Sequence, residues 1–251
     1  MLSKAQISHI TSLQHKKFRN QHKLFVVEGI KSVLEFINST YNIQKIYASN
    51  DGAVKLGKIP QNIKFEELTV PEFSKISSLQ NPQGALAIVE IPKENQINPL
   101  ALRGKHSLLL DDVQDPGNLG TIIRTAEWFG IEHIICSIGC VDAYNPKVVQ
   151  ATMGSLSRTR LYYLDLMEFI AQHGLPIFGA LLDGDSIYET NFGEEGFILM
   201  GNEGNGIHET LIEKIDHRVT IPRIGQAESL NVAIATTLFC SELSRGKLIK
   251  K

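Results

Sequence analysis

The chain has 251 residues, 43% of them hydrophobic, which is enough for one large domain or two modest ones. No apolar run approaches the ~20 residues of a membrane span, the opening MLSKAQISHI lacks an apolar signal core, and three cysteines cannot frame a disulfide scaffold, so a cytoplasmic protein is expected. The net charge of −2 hides an asymmetry: residues 1–91 hold 11 Lys and Arg against 7 Asp and Glu, and the remainder hold 14 against 20.

The first basic stretch carries Lys16, Lys17, Arg19 and Lys23, with no acid before Glu28. It suits contact with a polyanion, and equally a solvated tail. Residues 26–39 then read as a strand running into a helix, 44–48 and 63–66 as strands, and 71–78 as a helix with its proline early. Residues 84–91 read as an apolar strand. This makes a small basic α/β domain over 1–91. Residues 92–105 are polar and proline-punctuated and read as a linker.

From residue 106 to the end, strands and helices alternate. Strands are expected at 108–110, 133–137, 160–163, 177–182, 197–200 and 218–221. Helices are expected at 121–129, 146–153, 166–172, 209–214 and 230–243, the last apolar on nearly all sides and so expected to be buried. This alternation predicts a mostly parallel sheet covered on both faces.

Three loops follow predicted strands. They are 111–120 (DDVQDPGNLG), 201–206 (GNEGNG) and 221–231, which ends in Ser229-Leu230-Asn231. Loops at carboxyl ends of parallel strands converge on a crevice. No dinucleotide fingerprint and no Walker lysine is present, so a ligand there would be held largely by backbone amides and carbonyls. Arg124 stands six residues beyond Asn118, near the entrance of an otherwise apolar helix, where folding does not need a guanidinium. Each residue has a structural alternative. Asn118 or Ser229 would cap a helix, Arg124 would pair with Glu127 or Asp112, and Glu203 would sit in a turn. Lys147 is an RNA contact or a solvated helix-start lysine. Trp128 fits a core or an interface better than a stacking platform. His133, Cys136 and Cys140 lack a fourth metal ligand, and no metal is expected.

The segments DPGNLGTIIRTAEWFG, ILMGNEGNGI and VTIPRIGQAESLNVAIAT, in this order and spacing, resemble the three motifs of the SpoU (TrmH-type) RNA ribose methyltransferases of the SPOUT superfamily. The resemblance covers about residues 106–246, and FVVEGIKSVLEFI resembles the start of the family's N-terminal RNA-recognition domain. It implies a C-terminal trefoil knot, a homodimer, and transfer of a methyl group from S-adenosylmethionine to a ribose 2′-hydroxyl. Ribosomal RNA is the first expectation, transfer RNA the second. A non-catalytic RNA-binding member of the fold is the alternative from another class, and a nicotinamide-dependent dehydrogenase is disfavoured.

Carried over by motif, Met200, Gly201, Ile221 and Leu230 line the cofactor pocket. Asn118, Arg124, Glu203, Ser229 and Asn231 surround the reacting hydroxyl. Arg223 departs from the apolar residue common after the proline. A guanidinium is a cation with no lone pair to spare in proteins, which suits Arg124 to be a fixed positive charge rather than a base. It is expected to hold the phosphate beside the target ribose and to stabilise developing alkoxide charge.

Overall fold

The computed structural model describes residues 1–93 and 97–249, with only the backbone over 246–249. Part of the expected linker (94–96) and the last two residues of the expected second domain lie outside the described residues. In chain order the elements are α1 (Lys4–Ser12), α2 (Lys16–His22), β1 (Leu24–Glu28), α3 (Ile30–Ile37), β2 (Ile43–Ser49), α4 (Asn50–Leu56), β3 (Lys64–Leu68), α5 (Val70–Phe73) and β4 (Ala85–Glu90). A short 3-10 turn, Pro99–Leu102, leads into β5 (His106–Leu110), α6 (Pro116–Trp128), β6 (His133–Cys136), α7 (Pro146–Ala151), β7 (Arg160–Tyr163), α8 (Leu166–His173), β8 (Ile177–Ser186), β9 (Gly196–Met200), α9 (Glu209–Ile212), β10 (His217–Thr220) and α10 (Val232–Ile249).

These elements form two compact units. The first is Met1–Asn95 with Asp142–Ser157, the second Gln96–Val141 with Arg158–Lys251. The first unit is therefore discontinuous: α7, expected within the second domain, packs on β1. Phe25 of β1 meets Tyr144 with ring centroids 4.7 Å apart.

The small sheet runs β1-β4-β2-β3. On one face Ile10 and Leu13, from α1 and the turn after it, join Leu24, Val26, Tyr47, Phe73 and Leu86 in a buried cluster. Both basic N-terminal segments are thus folded helices rather than a tail. Ser3 and Gln6 close a capping box at the start of α1, which holds one of the orphan N–H groups of that first turn.

Arg19 corrects the expectation of an RNA contact. It is 2% exposed. Its guanidinium donates to Asp142 Oδ2 at 2.6 and 3.1 Å and to the carbonyls of Leu13 and Gln14 at 3.0 and 2.8 Å. Lys16, Lys17, Lys23 and Lys147 are exposed.

The large sheet runs β10-β8-β9-β5-β6-β7, with every pairing parallel. Strands β5, β6 and β9 are buried at every position, as a parallel sheet covered on both faces requires. β6 and β7 extend the sheet on one side of β5. β9 and then β8 and β10 lie on the other, so the winding reverses between β5 and β9. β8 runs four residues beyond its expected end, through Asp183 and Gly184, polar positions that conceal a strand. α10 also differs from expectation. Val232, Ala233, Thr236, Phe239 and Cys240 are buried, but Ile234 is 54% exposed. Among the described residues no helix is long and apolar enough to cross a membrane.

Candidate active site

Leu110, Met200 and Thr220 end parallel strands on one edge of the large sheet. The loops that follow β5 and β9 flank the point where the winding reverses, the position at which open α/β sheets bind ligands.

The first loop is shorter than expected, because α6 begins at Pro116. Asp115 is its N-cap, accepting from the Asn118 N–H at 2.8 Å, and Pro116 fills the first turn. Capping by Asp115 leaves the Asn118 side chain free for other partners. Its Nδ2 donates to Glu203 Oε1 at 2.9 Å, and its Oδ1 accepts from Asn231 Nδ2 at 2.9 Å. Glu203 Oε1 also receives the Asp115 N–H at 3.4 Å. Asn118, Glu203 and Asn231, one from each loop, thus form a single hydrogen-bonded chain. Asn231, not Ser229, caps the last helix: its Oδ1 accepts from Ala233 N at 2.9 Å and Ile234 N at 3.3 Å.

Residues with no assigned role in the sequence motifs hold the loops in register. Asn202 Oδ1 accepts from the N–H groups of Gly204 and Asn205 at 2.8 and 3.0 Å, and its Nδ2 reaches the Asp112 carbonyl at 2.7 Å. Asp112 has φ +52 and is gripped by the Ser137 hydroxyl. Asp111 accepts the His208 N–H at 2.7 Å. Burial, with Asp112 alongside, pushes the Asp111 carboxyl up from its ordinary pKa, against the pull of that N–H. The sequence does carry two signals for these roles: Asp-Pro as a helix start, and an Asn two residues before a glycine as a side-chain turn.

Arg124 is exposed on α6, on one stripe with Gly117, Thr121 and Trp128. Neither of its expected ion pairs forms. Glu127 pairs with Arg158 at 2.9 Å, and Arg124 has no hydrogen-bond or ion-pair partner among the described residues. Ser229 is exposed and outside the hydrogen-bonded chain. Trp128 is 79% exposed, so it is not core.

Gly201 packs so closely on the Gly206–Ile207 backbone that a Cβ would overlap it, which only glycine allows. The segment 222–230 has no regular secondary structure. Among the described residues its internal hydrogen bond is Arg223 Nη1 to the Ala227 carbonyl at 2.9 Å. Its remaining amides and carbonyls, with half-exposed Leu230 and partly buried Ile221, offer polar backbone edges beside apolar side chains. That donor set fits a flat heteroaromatic joined to a sugar and fits a triphosphate poorly. Among the described residues no group of three or more His, Cys, Asp or Glu side chains could hold a metal ion. Cys136 is raised well above the thiol range by its hydrogen bond to Cys140 and by burial.

Residues 105–241 match the model of the SpoU rRNA Methylase family, and residues 4–87 match that of the MRM3-like substrate binding domain. The 23S rRNA (guanosine(2553)-2′-O)-methyltransferase RlmP of Bacillus subtilis is 32% identical over 92% of both chains. A TrmH-family protein from Porphyromonas gingivalis superposes with a TM-score of 0.88 at 38% identity, over 98% of this chain and 99% of that one. The AdoMet-bound rRNA methyltransferase from Sinorhizobium meliloti superposes with a TM-score of 0.85 at 29% identity, over 98% and 97%. With its motifs on one sheet edge and relatives matching along nearly its whole length, the chain belongs to the SpoU rRNA methylase family and is an RNA methyltransferase.

Proposed function

We propose that the chain methylates a ribose 2′-hydroxyl of ribosomal RNA at the carboxyl edge of its large sheet, with S-adenosylmethionine as donor. The observation that carries this reading is the chain of hydrogen bonds Asn231–Asn118–Glu203, which ties three loops together while Arg124 has no partner among the described residues. Met200, Gly201, Ile221 and Leu230 would hold the cofactor. It supplies a methyl group on a sulfonium, already a strong electrophile, which leaves positioning and charge stabilisation to the protein.

Asn118 and Asn231 fix the crevice wall, and Glu203 anchors Asn118 from the glycine turn. Arg124 holds the phosphate beside the target ribose and stabilises the charge that develops on its 2′-oxygen. The hydroxyl proton leaves to phosphate or water. Ser229 lies on the same loop, exposed, where it contacts substrate. Lys16, Lys17, Lys23 and Lys147 contribute exposed charge toward RNA phosphates.

The small unit belongs to this reading as the RNA-gripping domain, with the large unit as a knotted catalytic domain. The active form is a homodimer, supported by Trp128 and Ile234, which expose 79% and 54% of their surface on α6 and α10. The cytoplasm is the compartment in this reading.

Mapping ribose methylation in RNA from cells with and without the gene tests the activity. Loss at one ribosomal position is the expected result. An unchanged map, together with no transfer of labelled methyl to that RNA by purified protein, would leave a binding protein instead. Arg124→Lys tests the arginine: near-normal turnover with normal RNA affinity would contradict a bidentate role.

A further inference from the structure

The small sheet has a carboxyl edge of its own. β1 and β2 are each antiparallel to β4, and β3 is parallel to β2, so Glu28, Ser49 and Leu68 all finish on one side. Gly84, entering β4, lies there too. Ser49 N donates to the Gly84 carbonyl and Gly29 N to the Ala85 carbonyl, both at 2.9 Å.

Glycines let these turns close on one another. A Cβ on Gly52 would overlap the Gly84 carbonyl, and one on Gly84 would press on Ser49 Oγ. Gly84 also has φ +80, where a side chain is strained. Between the turns opens a cleft of about 470 Å³, within the ~300–1,000 Å³ typical of small-ligand sites. Phe73 and Ile30 lie along it, and Val70 stands 67% exposed beside them. Asp51, Lys55 and Gln83 supply the polar lining. Among the described residues these three have no hydrogen-bond or ion-pair partner. Asp51 and Lys55 sit four residues apart on α4 and do not pair with each other.

We propose that this cleft takes one unstacked nucleotide of single-stranded RNA. The inference rests on the functional reading above and gives the substrate a second foothold, separate from the reacting ribose. Val70 and Ile30 offer an apolar platform for a base. Asp51 and Gln83 meet the donors and acceptors of its edge, and Lys55 meets the phosphate. Recognition of single-stranded RNA uses these parts, and the excess of Lys and Arg over Asp and Glu within residues 1–91 favours a polyanion. The match of residues 4–87 to a substrate-binding domain points the same way. The exposed lysines of α2 contribute charge only, whereas the cleft reads strandedness.

The test measures binding of purified ribosomal RNA, of a 12-nucleotide mixed-sequence single strand and of its duplex to the full-length protein. Methyl transfer to ribosomal RNA and calorimetric binding of S-adenosylhomocysteine are followed in parallel. The variants are Lys55→Ala with Gln83→Ala, and Val70→Glu, all at exposed positions that leave the fold intact. The expected result is single-strand affinity at least 10-fold weaker, KM for RNA raised with kcat nearly kept, and S-adenosylhomocysteine binding unchanged. Wild-type preference for the single strand over the duplex should vanish in the variants and survive Lys16→Ala with Lys17→Ala. Variants that bind and methylate like wild type overturn the cleft and leave the functional reading standing. Wild-type protein that transfers no methyl to RNA and binds no S-adenosylhomocysteine overturns the functional reading itself.

Discussion

Arg19 and Arg124 are the same side chain in opposite circumstances. Arg19 is buried under α2, its guanidinium fixed by one carboxylate and two carbonyls. Arg124 stands in solvent with no protein partner among the described residues. A buried guanidinium persists only when nearly every donor is satisfied, and Arg19, buried with four hydrogen bonds already made, is closed to a ligand. A free one on an exposed helix face can place its charge on a group that the described residues do not supply. Sequence position points to both, Arg19 for its run of lysines and Arg124 for its place near the entrance of an apolar helix, and only the second stands exposed.

The contrast is tested most severely at Arg124. Arg124→Ala is expected to lower kcat about 10²- to 10³-fold, the usual cost of removing one charge-stabilising donor, with an unchanged melting temperature. Steady-state methyl transfer and thermal unfolding, measured together, check both halves. Arg19→Ala should do the reverse. It leaves Asp142 without its cation and should cost about 3 kcal/mol of stability in chemical denaturation, while turnover per folded molecule stays near wild type.

Asn118→Ala breaks both arms of the chain that joins the three loops. Misplaced groups cost roughly 10- to 100-fold in rate, visible in kcat rather than in the affinity for the cofactor product. Asn231→Asp retains the cap of α10 but loses the amide donor to Asn118. It should therefore reproduce part of the rate loss at normal stability, whereas Asn231→Ala should also lose about 1 kcal/mol by thermal melting. The smallest effect belongs to Lys16→Ala with Lys17→Ala. RNA affinity should fall modestly, and the slope of log affinity against log salt should flatten by about 0.7 for each phosphate no longer neutralised.

Much of the large sheet can be read from sequence because its strands are short, continuous apolar runs such as Leu108–Leu109–Leu110 and Phe197–Ile198–Leu199, separated by glycine turns. Element ends are harder. Asp115 caps α6 and Pro116 starts it five residues before its expected start at 121. The tail of β8 is polar, so burial periodicity gives no sign of it. α1 and α2 are hidden by their charge: the apolar face of α1 and the turn after it is little more than Ile7, Ile10 and Leu13, yet Ile10 and Leu13 enter the core.

At the candidate site, motif resemblance points to a set of residues, and the structure shows how some of them connect. Asn118 bridges, Asn231 both caps and bridges, and Asn202 fastens the glycine turn to the strand beside it. Sequence alone misplaces Arg19 because its partner, Asp142, is 123 positions away. No local pattern reports such a pair.

The interrupted make-up of the first unit has a consequence for synthesis. Its N-terminal strands leave the ribosome early, but Asp142, Tyr144 and α7, which complete Arg19, Phe25 and β1, follow only after β5, α6 and β6. During translation the early portion holds Arg19 by the Leu13 and Gln14 carbonyls alone, and Phe25 against Phe36 and Tyr41 without Tyr144, until about residue 157 has emerged. A gene fragment ending near residue 93 would lack Asp142 for Arg19 and Tyr144 for Phe25, so a version of this unit with a grafted copy of 142–157 is expected to melt at the higher temperature.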